Sequence, residues 1–457
     1  MARAGSVVIL AAGMGKRMKS ARPKVLHPLC GRPMLAWVVD QAIALEPERI
    51  VVVVGHGSDE VEKALRETGQ AARVTFVRQE PQLGTGHALQ CCLPALGANP
   101  GVVVVLYGDM PLLRPESVQL LLAAQVKATG GAALLTACPE NPRGFGRIVR
   151  AAHGTGDVER IVEEKDATRD EKDIAEVNLG VYAFDGRELV AALPKLEAKN
   201  AQGEFYLTDV IGMLTRAHKP VAAVEIEDVE EAIGVNTLAD LAEARWALQL
   251  RILEMHMVNG VFIEDPATTY IDHGVEIGVG TKILPCTVIR SGVRIGAGCE
   301  VGPFTQLRAG TVLEDTAEIG NFTECKNTHV GRHAKAKHLA YLGDAEIGAN
   351  TNIGAGTIFA NYDGKAKHKT KVGTRVFIGS GTVIVAPNTI GDGATTGAGA
   401  IVTRDAGVGA GEVWVGVPAK PMTRSSQTKP PMQNEVGGAG DSRPSSESGG
   451  ARAEKRS

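Results

Sequence analysis

The sequence predicts an α/β domain followed by a parallel β-helix, and three observations carry that expectation. The first is a repeat. An aliphatic or Cys side chain returns at every sixth residue through Ile271, Ile277, Ile283, Ile289, Ile295, Val301, Leu307, Leu313, Ile319 and Cys325. A period of six fits neither a helix nor a flat strand, so each repeat is one short strand and a turn, with the repeated side chains stacked in a column. The count resumes at Ile347, Ile353 and Phe359, and again at Ile378, Ile384, Ile390, Thr396 and Val402. The second observation lies upstream, where apolar β-rich runs at 6–10, 50–55, 74–77, 102–107, 132–137 and 177–184 alternate with helical patterns such as 34–45 and 115–129. Such alternation argues a mainly parallel sheet covered by helices on both faces. The third is a stretch rich in Ala, Leu, Glu and Arg at 236–257, which reads as a helix joining the two bodies. The expected division is 1–230, a linker helix at 231–259, the β-helix at 260–421, and a tail at 422–457 whose Ser, Gly, Pro and charge lack periodicity and predict disorder.

Composition narrows the function classes. A chain of 457 residues has room for two substantial cores. A net charge of -3 with scattered Lys and Arg gives no phosphate-tracking stripe, so no nucleic-acid partner is expected. The longest apolar runs are of core-strand length, too short for a membrane span, and residue 1 leads into a strand without a signal-peptide pattern. The seven Cys at 30, 91, 92, 138, 286, 299 and 325 form no CxxC pair, which fits buried free thiols in a cytoplasmic protein.

The first candidate site is the loop after the opening strand, Leu10-Ala11-Ala12-Gly13-Met14-Gly15-Lys16-Arg17-Met18. Small residues let backbone N–H groups approach an anion, and Lys16 and Arg17 add positive charge. The spacing is neither GxGxxG nor GxxxxGK[ST], which excludes the two common nucleotide loops. Pro23-Lys24 brings a further cation. Tyr107-Gly108-Asp109 sets a carboxylate at the end of a buried strand, where open α/β sheets bind ligands and Mg²⁺ takes one or two carboxylates with substrate phosphates.

LAAGxGxRM, PKVL, the run from Gln79 to Ala88 containing Leu83-Gly84-Thr85-Gly86-His87, and YGDMP occur in that order. Together they resemble the sugar-1-phosphate nucleotidylyltransferases. The sixfold repeat behind them narrows the resemblance to the bifunctional N-acetylglucosamine-1-phosphate uridylyltransferase/glucosamine-1-phosphate N-acetyltransferase family, over about residues 6 to 420. The resemblance implies a Rossmann-like nucleotidyltransferase domain, a left-handed hexapeptide β-helix and a homotrimer. It implies Leu10, Ala11 and Gly13 around UTP, Arg17 on its triphosphate, Gln79, Gln82, Gly84 and Thr85 at uracil and ribose, and Tyr107 beside them. Lys24 would steady the phosphates, Asp109 and Asn236 would hold Mg²⁺, and Gly146, Glu163, Asn178 and Tyr206 would contact the sugar. No Ser, Cys or His is placed as a nucleophile here, so positioning and charge neutralisation carry the transfer.

The second site is expected where the sixfold count fails. The count is interrupted between Cys325 and Ile347, a stretch carrying Lys326, His338 and Tyr341, and between Phe359 and Ile378, a stretch carrying Asn361, Tyr362 and Lys367. Extra residues at both places are expected to bulge from the prism, and loops on a rigid scaffold favour function. His338 is a plausible general base. The segment KHLAYLGDAEIG resembles the acetyltransferase's catalytic segment, which implies that His338 activates the amine of glucosamine 1-phosphate toward acetyl-CoA. Arg308, Lys326, Tyr341 and Lys367 are implied at the sugar phosphate, Glu324, Asn352, Asn361 and Tyr362 at the sugar, and Ala355, Ser380 and Ala398 along the acetyl-CoA groove. Relatives often carry a basic residue where this chain reads Val415-Gly416-Val417-Pro418-Ala419-Lys420, and Lys420 or Arg424 are the candidates to replace it. Two other readings stay open on the residues alone. One is a nucleotidylyltransferase whose β-helix only oligomerises or regulates; the other is a nucleotide-sugar sensor without turnover.

Overall fold

The computed structural model describes residues 3–151 and 156–422. The expected tail, Arg424 included, lies outside the described residues from 423 onward.

Strand Ser6–Leu10 is buried on both faces, as its unbroken apolar sequence requires, and it occupies the centre of the N-terminal sheet. It pairs in parallel with Arg49–Val54 on one side and Val102–Tyr107 on the other, and Thr75–Arg78 extends the first of these. Beyond Val102–Tyr107 the sheet continues through Val177–Asp185, Ala132–Ala137 and Val221–Glu225. Val177–Asp185 runs antiparallel to both neighbours, so the sheet is mainly parallel, as expected, but not wholly. Strands Gly146–Arg150 and Val158–Val162 branch from it as a side hairpin.

Helix Leu238–Val258 starts at a capping box, Thr237 accepting from the backbone N–H of Asp240 while the Asp240 carboxylate accepts that of Thr237. Its buried face, including Leu241, Ala244, Leu248, Ile252 and Leu253, belongs to the same apolar cluster as Met18, Leu29 and Met34 of the first domain and Ile271, Ile283 and Ile289 of the second. The helix thus closes the first coil of the column against the α/β domain. Gln249 fixes the contact by donating to the carbonyl of Ile271 at 3.0 Å. Among the described residues no helix is long and apolar enough to cross a membrane.

The C-terminal body is a left-handed parallel β-helix of three sheets, holding ten, eight and seven strands. The expected column is present, with Ile271, Ile283, Ile289, Leu307, Ile319 and Cys325 each fully buried. Burying such a side chain contributes roughly 1.5–3 kcal/mol. Thr396 keeps the column's place with a hydroxyl that is not left bare, since it accepts the N–H of Gly379 and meets the Thr382 hydroxyl, each at 3.0 Å. Of the cysteines, Cys30, Cys92, Cys299 and Cys325 are buried free thiols, Cys91 and Cys286 are half-buried, and Cys138 is exposed.

The first interruption is not a bulge, which corrects the expectation. The column steps by five residues from Cys325 to Val330, by six to Ala336 and Leu342, and by five to Ile347, all of them buried. Two corners are each one residue short, and the coils stay paired throughout. Lys326 and Tyr341 therefore sit on strands Glu324–Lys326 and Tyr341–Gly343 next to the inward Cys325 and Leu342 and face outward because strand side chains alternate, while His338 ends strand Lys335–His338 and is exposed at its corner. The second interruption is the insertion expected. The column steps by thirteen residues from Phe359 to Val372, and the added loop leaves the prism after strand Ile358–Ala360.

Glycines follow many column residues of the ten- and seven-stranded sheets because the next coil passes too close for a side chain. A Cβ on Gly348 would lie 2.5 Å from the backbone of Gly373. Gly348→Ala should therefore destabilise the protein by about 1–3 kcal/mol, the range for forced overpacking, read as a lower midpoint in thermal unfolding.

Two candidate active sites

The loop after Ser6–Leu10 opens a cavity of about 310 Å³ whose walls include Leu10, Ala11, Gly13, Lys24, Gln79, Gln82, Gly84, Thr85, Tyr107 and Asp109. Ten residues singled out from separate motifs thus meet in one place. Gly15 adopts φ +60° and a Cβ there would meet the Lys24 side chain at 2.7 Å, so this glycine is what lets Lys24 reach the cavity. The Lys24 ammonium donates to the Asp109 carboxylate in a close ion pair and to the Asn236 amide oxygen at 3.2 Å, and the Arg17 guanidinium donates to the same Asn236 oxygen at 2.9 Å. Asp109 is itself positioned by its carbonyl, which accepts the N–H of Val235 at 2.8 Å and ties the two segments together.

Elsewhere along the cavity, Gln82 donates to the carbonyl of Ala12, Gln79 donates to the carbonyl of Gly84 at 2.9 Å, and the Thr85 hydroxyl accepts the N–H of Leu207 at 3.1 Å. Gly55 belongs to this wall although the motifs did not reveal it: a Cβ there would collide with the Gln82 amide at 2.2 Å. Gly180 is a second missed residue. It has φ +78°, and a Cβ would strike the Tyr107 ring at 2.7 Å. The signal was available, because an isolated glycine inside a strand marks a bulge or a close approach, and the register does shift between Asn178 and Tyr182.

Gly146, Asn178 and Glu163 form the next group. Gly146 pairs with Asn178 across the sheet, and a Cβ on Gly146 would lie 3.7 Å from the Glu163 carboxylate. Glu163 and Tyr206 line a separate cavity of about 510 Å³ rather than the first one. Burial pushes the Glu163 carboxyl above its ordinary range, partly offset by the Thr208 hydroxyl donating to it at 3.1 Å. Burial likewise raises the Tyr107 phenol, with the nearby Glu163 and Asp109 charges adding to it, so Tyr107 stays a neutral donor.

In the β-helix the coil-to-coil pairing gathers residues from five segments. Arg308 follows the strand that pairs Leu307 with Cys325, which sets it beside Lys326, and its guanidinium donates to Glu324 at 2.7 Å. Lys326 pairs with Gly343, and over Gly343 the Tyr341 hydroxyl and the Asn361 amide converge, each 2.6 Å from where a Cβ would stand. Asn361 is buried and held by donating to Asp344, whose other oxygen accepts from Asn327 at 2.7 Å. The ammonium groups of Lys326 and Lys367 lie against each other, and Lys367, followed by Arg308, draws the Lys326 pKa below its ordinary value.

His338 stands at the corner before Tyr341. Its Nδ1 lies 2.7 Å from the Oδ1 of Asn321. An amide oxygen only accepts, so Nδ1 donates to it, and in the neutral imidazole Nε2 is then the nitrogen with the free lone pair. Along this corner the carbonyls of Asn321, His338, Ala355 and Ser380 accept the N–H groups of Leu339, Gly356, Gly381 and Gly399, respectively, each from the next coil. Asn321, His338, Ala355, Ser380 and Ala398 therefore form one file, with small side chains leading away from the imidazole. Phe304, Phe322 and Leu339 stand exposed along the other end of the same corner, each in the left-handed region, with the Phe rings stacked at 5.3 Å. Two expected residues do not join the cluster. Asn352 starts a strand between Lys335 and Phe377 on a neighbouring sheet, and Tyr362 is exposed, its hydroxyl donating to the carbonyl of Gly364 at 2.7 Å. Lys420 is exposed on a terminal hairpin opposite Val415.

Comparison with known proteins extends over both bodies. Residues 7–206 match the MobA-like NTP transferase domain family. The chain is 43% identical over 431 residues to the bifunctional protein GlmU of Geobacillus sp. (strain WCH70), covering 87% of this chain and 92% of that one. It is 45% identical over 432 residues to the bifunctional protein GlmU of Fervidobacterium nodosum, again covering 87% and 92%. The solved structure of a UDP-glucose pyrophosphorylase complexed with UDP-glucose overlays with a TM-score of 0.45 at 18% identity, covering 55% of this chain and all of that one.

The raised Glu163 carboxyl fixes a sign. A folded pKa above the unfolded one favours folding while the group is protonated, and that contribution is lost as pH rises through the folded pKa. Glu163→Gln should therefore unfold at a higher temperature than the parent near pH 8, with the difference shrinking as pH falls toward 5, measured by calorimetry across that range.

Proposed function

The chain belongs to the family of bifunctional GlmU proteins, and from that premise we infer how its two sites divide the work. It is a bifunctional enzyme of UDP-N-acetylglucosamine synthesis. One half-reaction N-acetylates glucosamine 1-phosphate, and the other transfers a uridylyl group from UTP to N-acetylglucosamine 1-phosphate with release of pyrophosphate. The observation that carries the assignment is that one chain holds two polar centres of different chemistry: a loop cavity with Lys24 bridging Asp109 and Asn236, and a β-helix surface bearing both an imidazole hydrogen-bonded to Asn321 and a cluster of Arg308, Lys326 and Lys367.

In the α/β domain, Leu10, Ala11 and Gly13 bind UTP through backbone groups, Gln79, Gln82, Gly84, Thr85 and Tyr107 face its base and ribose, and Gly146, Glu163, Asn178 and Tyr206 hold the sugar. The sugar phosphate oxygen attacks the α-phosphorus in line, while Arg17 and Lys24 neutralise charge. Among the described residues no three His, Cys, Asp or Glu converge as a metal nest. The carboxylate of Asp109 and the amide oxygen of Asn236 nevertheless converge on one ammonium, which marks a point where a cation is favoured. Hard oxygen donors suit Mg²⁺, with substrate phosphates completing its shell. Mg²⁺ held there would add positive charge opposite the triphosphate.

In the β-helix, acetyl-CoA lies along the small-residue file of Ala355, Ser380 and Ala398. Arg308, Lys326, Tyr341 and Lys367 hold the sugar phosphate, and Glu324, Asn352, Asn361 and Tyr362 belong to the sugar's surroundings. Nε2 of His338 takes a proton from the amine as its nitrogen forms the new bond to the thioester carbon, and the coenzyme A thiolate then leaves. Homotrimeric assembly and a cytoplasmic location complete the proposal. The exposed strip of Phe304, Phe322 and Leu339 beside His338 favours a neighbouring subunit closing the acetyl site, which would also bring Asn352 and Tyr362 to a shared cleft.

Glucosamine 1-phosphate, acetyl-CoA, UTP and Mg²⁺ incubated together should yield UDP-N-acetylglucosamine by mass spectrometry. His338→Ala should lower acetyl transfer about 10²- to 10⁴-fold and leave pyrophosphate release from N-acetylglucosamine 1-phosphate unchanged. Chelation of Mg²⁺ should do the reverse. Loss of both activities in the variant would sink the division of labour.

A further inference from the structure

The loop inserted between Phe359 and Val372 carries Asn361 at its root and Lys367 near its far end. Asp363 gathers this loop. Its Oδ1 accepts the backbone N–H groups of Lys365 at 2.9 Å and Ala366 at 2.8 Å, and its Oδ2 accepts from His368 at 2.7 Å and from the Arg404 guanidinium at 3.5 Å. These contacts hold the Asp363 carboxyl far below the ordinary carboxylate range, the Ala366 N–H contributing most. The His368 N–H returns the chain to the carbonyl of Asn361 at 2.8 Å. Arg404 is not part of the loop. It follows strand Ile401–Val402, one coil below Val383–Val385 and two below Ile358–Ala360, and anchors the loop to the prism two coils away.

At the opposite end the loop faces a repulsive contact. Lys367 presents its ammonium to that of Lys326 with Arg308 nearby, and like charges at hydrogen-bonding range drive each other apart until an anion arrives. Lys367 is paired through its backbone with Tyr362 in an isolated antiparallel bridge, and the turn that this bridge closes is the one that Asp363 gathers.

We propose that Asp363, with His368 and Arg404, is a tether that holds Lys367 against Lys326 and so pre-forms a three-cation seat for a sugar-phosphate dianion. The inference rests on the acetyl-transfer reading of this site and adds residues that touch no substrate. They are positioning residues. Without the tether, Lys367 retreats toward solvent, and substrate binding must first draw it back, which weakens affinity without altering the imidazole chemistry.

The test is steady-state acetyl transfer by the full chain at saturating acetyl-CoA with glucosamine 1-phosphate varied. Asp363→Asn and Arg404→Ala should each raise KM for the sugar phosphate about tenfold while kcat stays within about twofold. Arg404→Lys should recover part of the loss. In a Lys367→Ala background, Asp363→Asn should add less than about twofold, because the group it positions is gone. Uridylyl transfer should be unchanged in every variant and reports that each chain is folded. If Asp363→Asn fails to fold, Arg404→Ala, outside the loop, carries the same test. An unchanged KM in Asp363→Asn and Arg404→Ala, full additivity with Lys367→Ala, or a fall in kcat at constant KM overturns the tether while leaving the site's assignment intact. A parent enzyme that does not acetylate glucosamine 1-phosphate overturns the assignment, and the tether with it.

Discussion

The stacking of one inward side chain per strand, coil upon coil, sets the distances in the C-terminal body. Parallel neighbours lie about 4.8 Å apart, so residues at the same station of successive coils touch whatever their separation in the chain. Asn321 reaches His338, Arg308 reaches Glu324 and Asp344 reaches Asn361, each across 16 or 17 residues. Neither a helix face nor a hairpin produces that spacing. The prism works as a ruler on which polar side chains are placed by counting, and the interior carries no catalytic burden beyond keeping the count.

That same rule explains what could be read from the chain and what could not. The ten-step column was legible because six is a period no other element uses. Its apparent first interruption was misread, since a corner shortened by one residue upsets a six-count just as an insertion does. Strand pairing separates the two, and pairing leaves no trace in a single sequence. The true insertion after Phe359 was legible as a position but not as a structure: Asp363 and Arg404 resemble any surface ion pair until the loop is seen folded over the prism. In the first domain the motifs located the cavity residues well, because most sit in the loops that follow strands Ser6–Leu10, Thr75–Arg78 and Val102–Tyr107. The side hairpin Gly146–Arg150 and Val158–Val162 went unread because its strands mix Arg and Glu with short apolar runs. Gly55 and Gly180 act by what they omit, and an omitted side chain gives only the faintest sequence signal.

The two sites solve one electrostatic problem in different ways. Both must receive phosphates, and both assemble cations before any phosphate is present. In the α/β domain the charge of Lys24 is balanced by Asp109, a buried neighbour that keeps the ammonium in place. In the β-helix, Lys326, Lys367 and Arg308 face one another with Glu324 and Asp344 set to the side. With Arg17 beside Lys24 in the first and Glu324 paired to Arg308 in the second, each arrangement keeps an excess of cation over carboxylate before ligand arrives.

Helix Leu238–Val258 contributes one apolar face to both bodies, and that sharing has a thermodynamic meaning of its own. A boundary at which the chain could be cut cleanly would have water on both sides, whereas here either half alone would bare Leu241, Leu248 and Leu253 or the first rungs of the column. Melting of one half would thus withdraw apolar cover from the other. The two chemistries are coupled in survival even where they are independent in turnover, which makes the fused chain a single cooperative entity rather than two enzymes on a string.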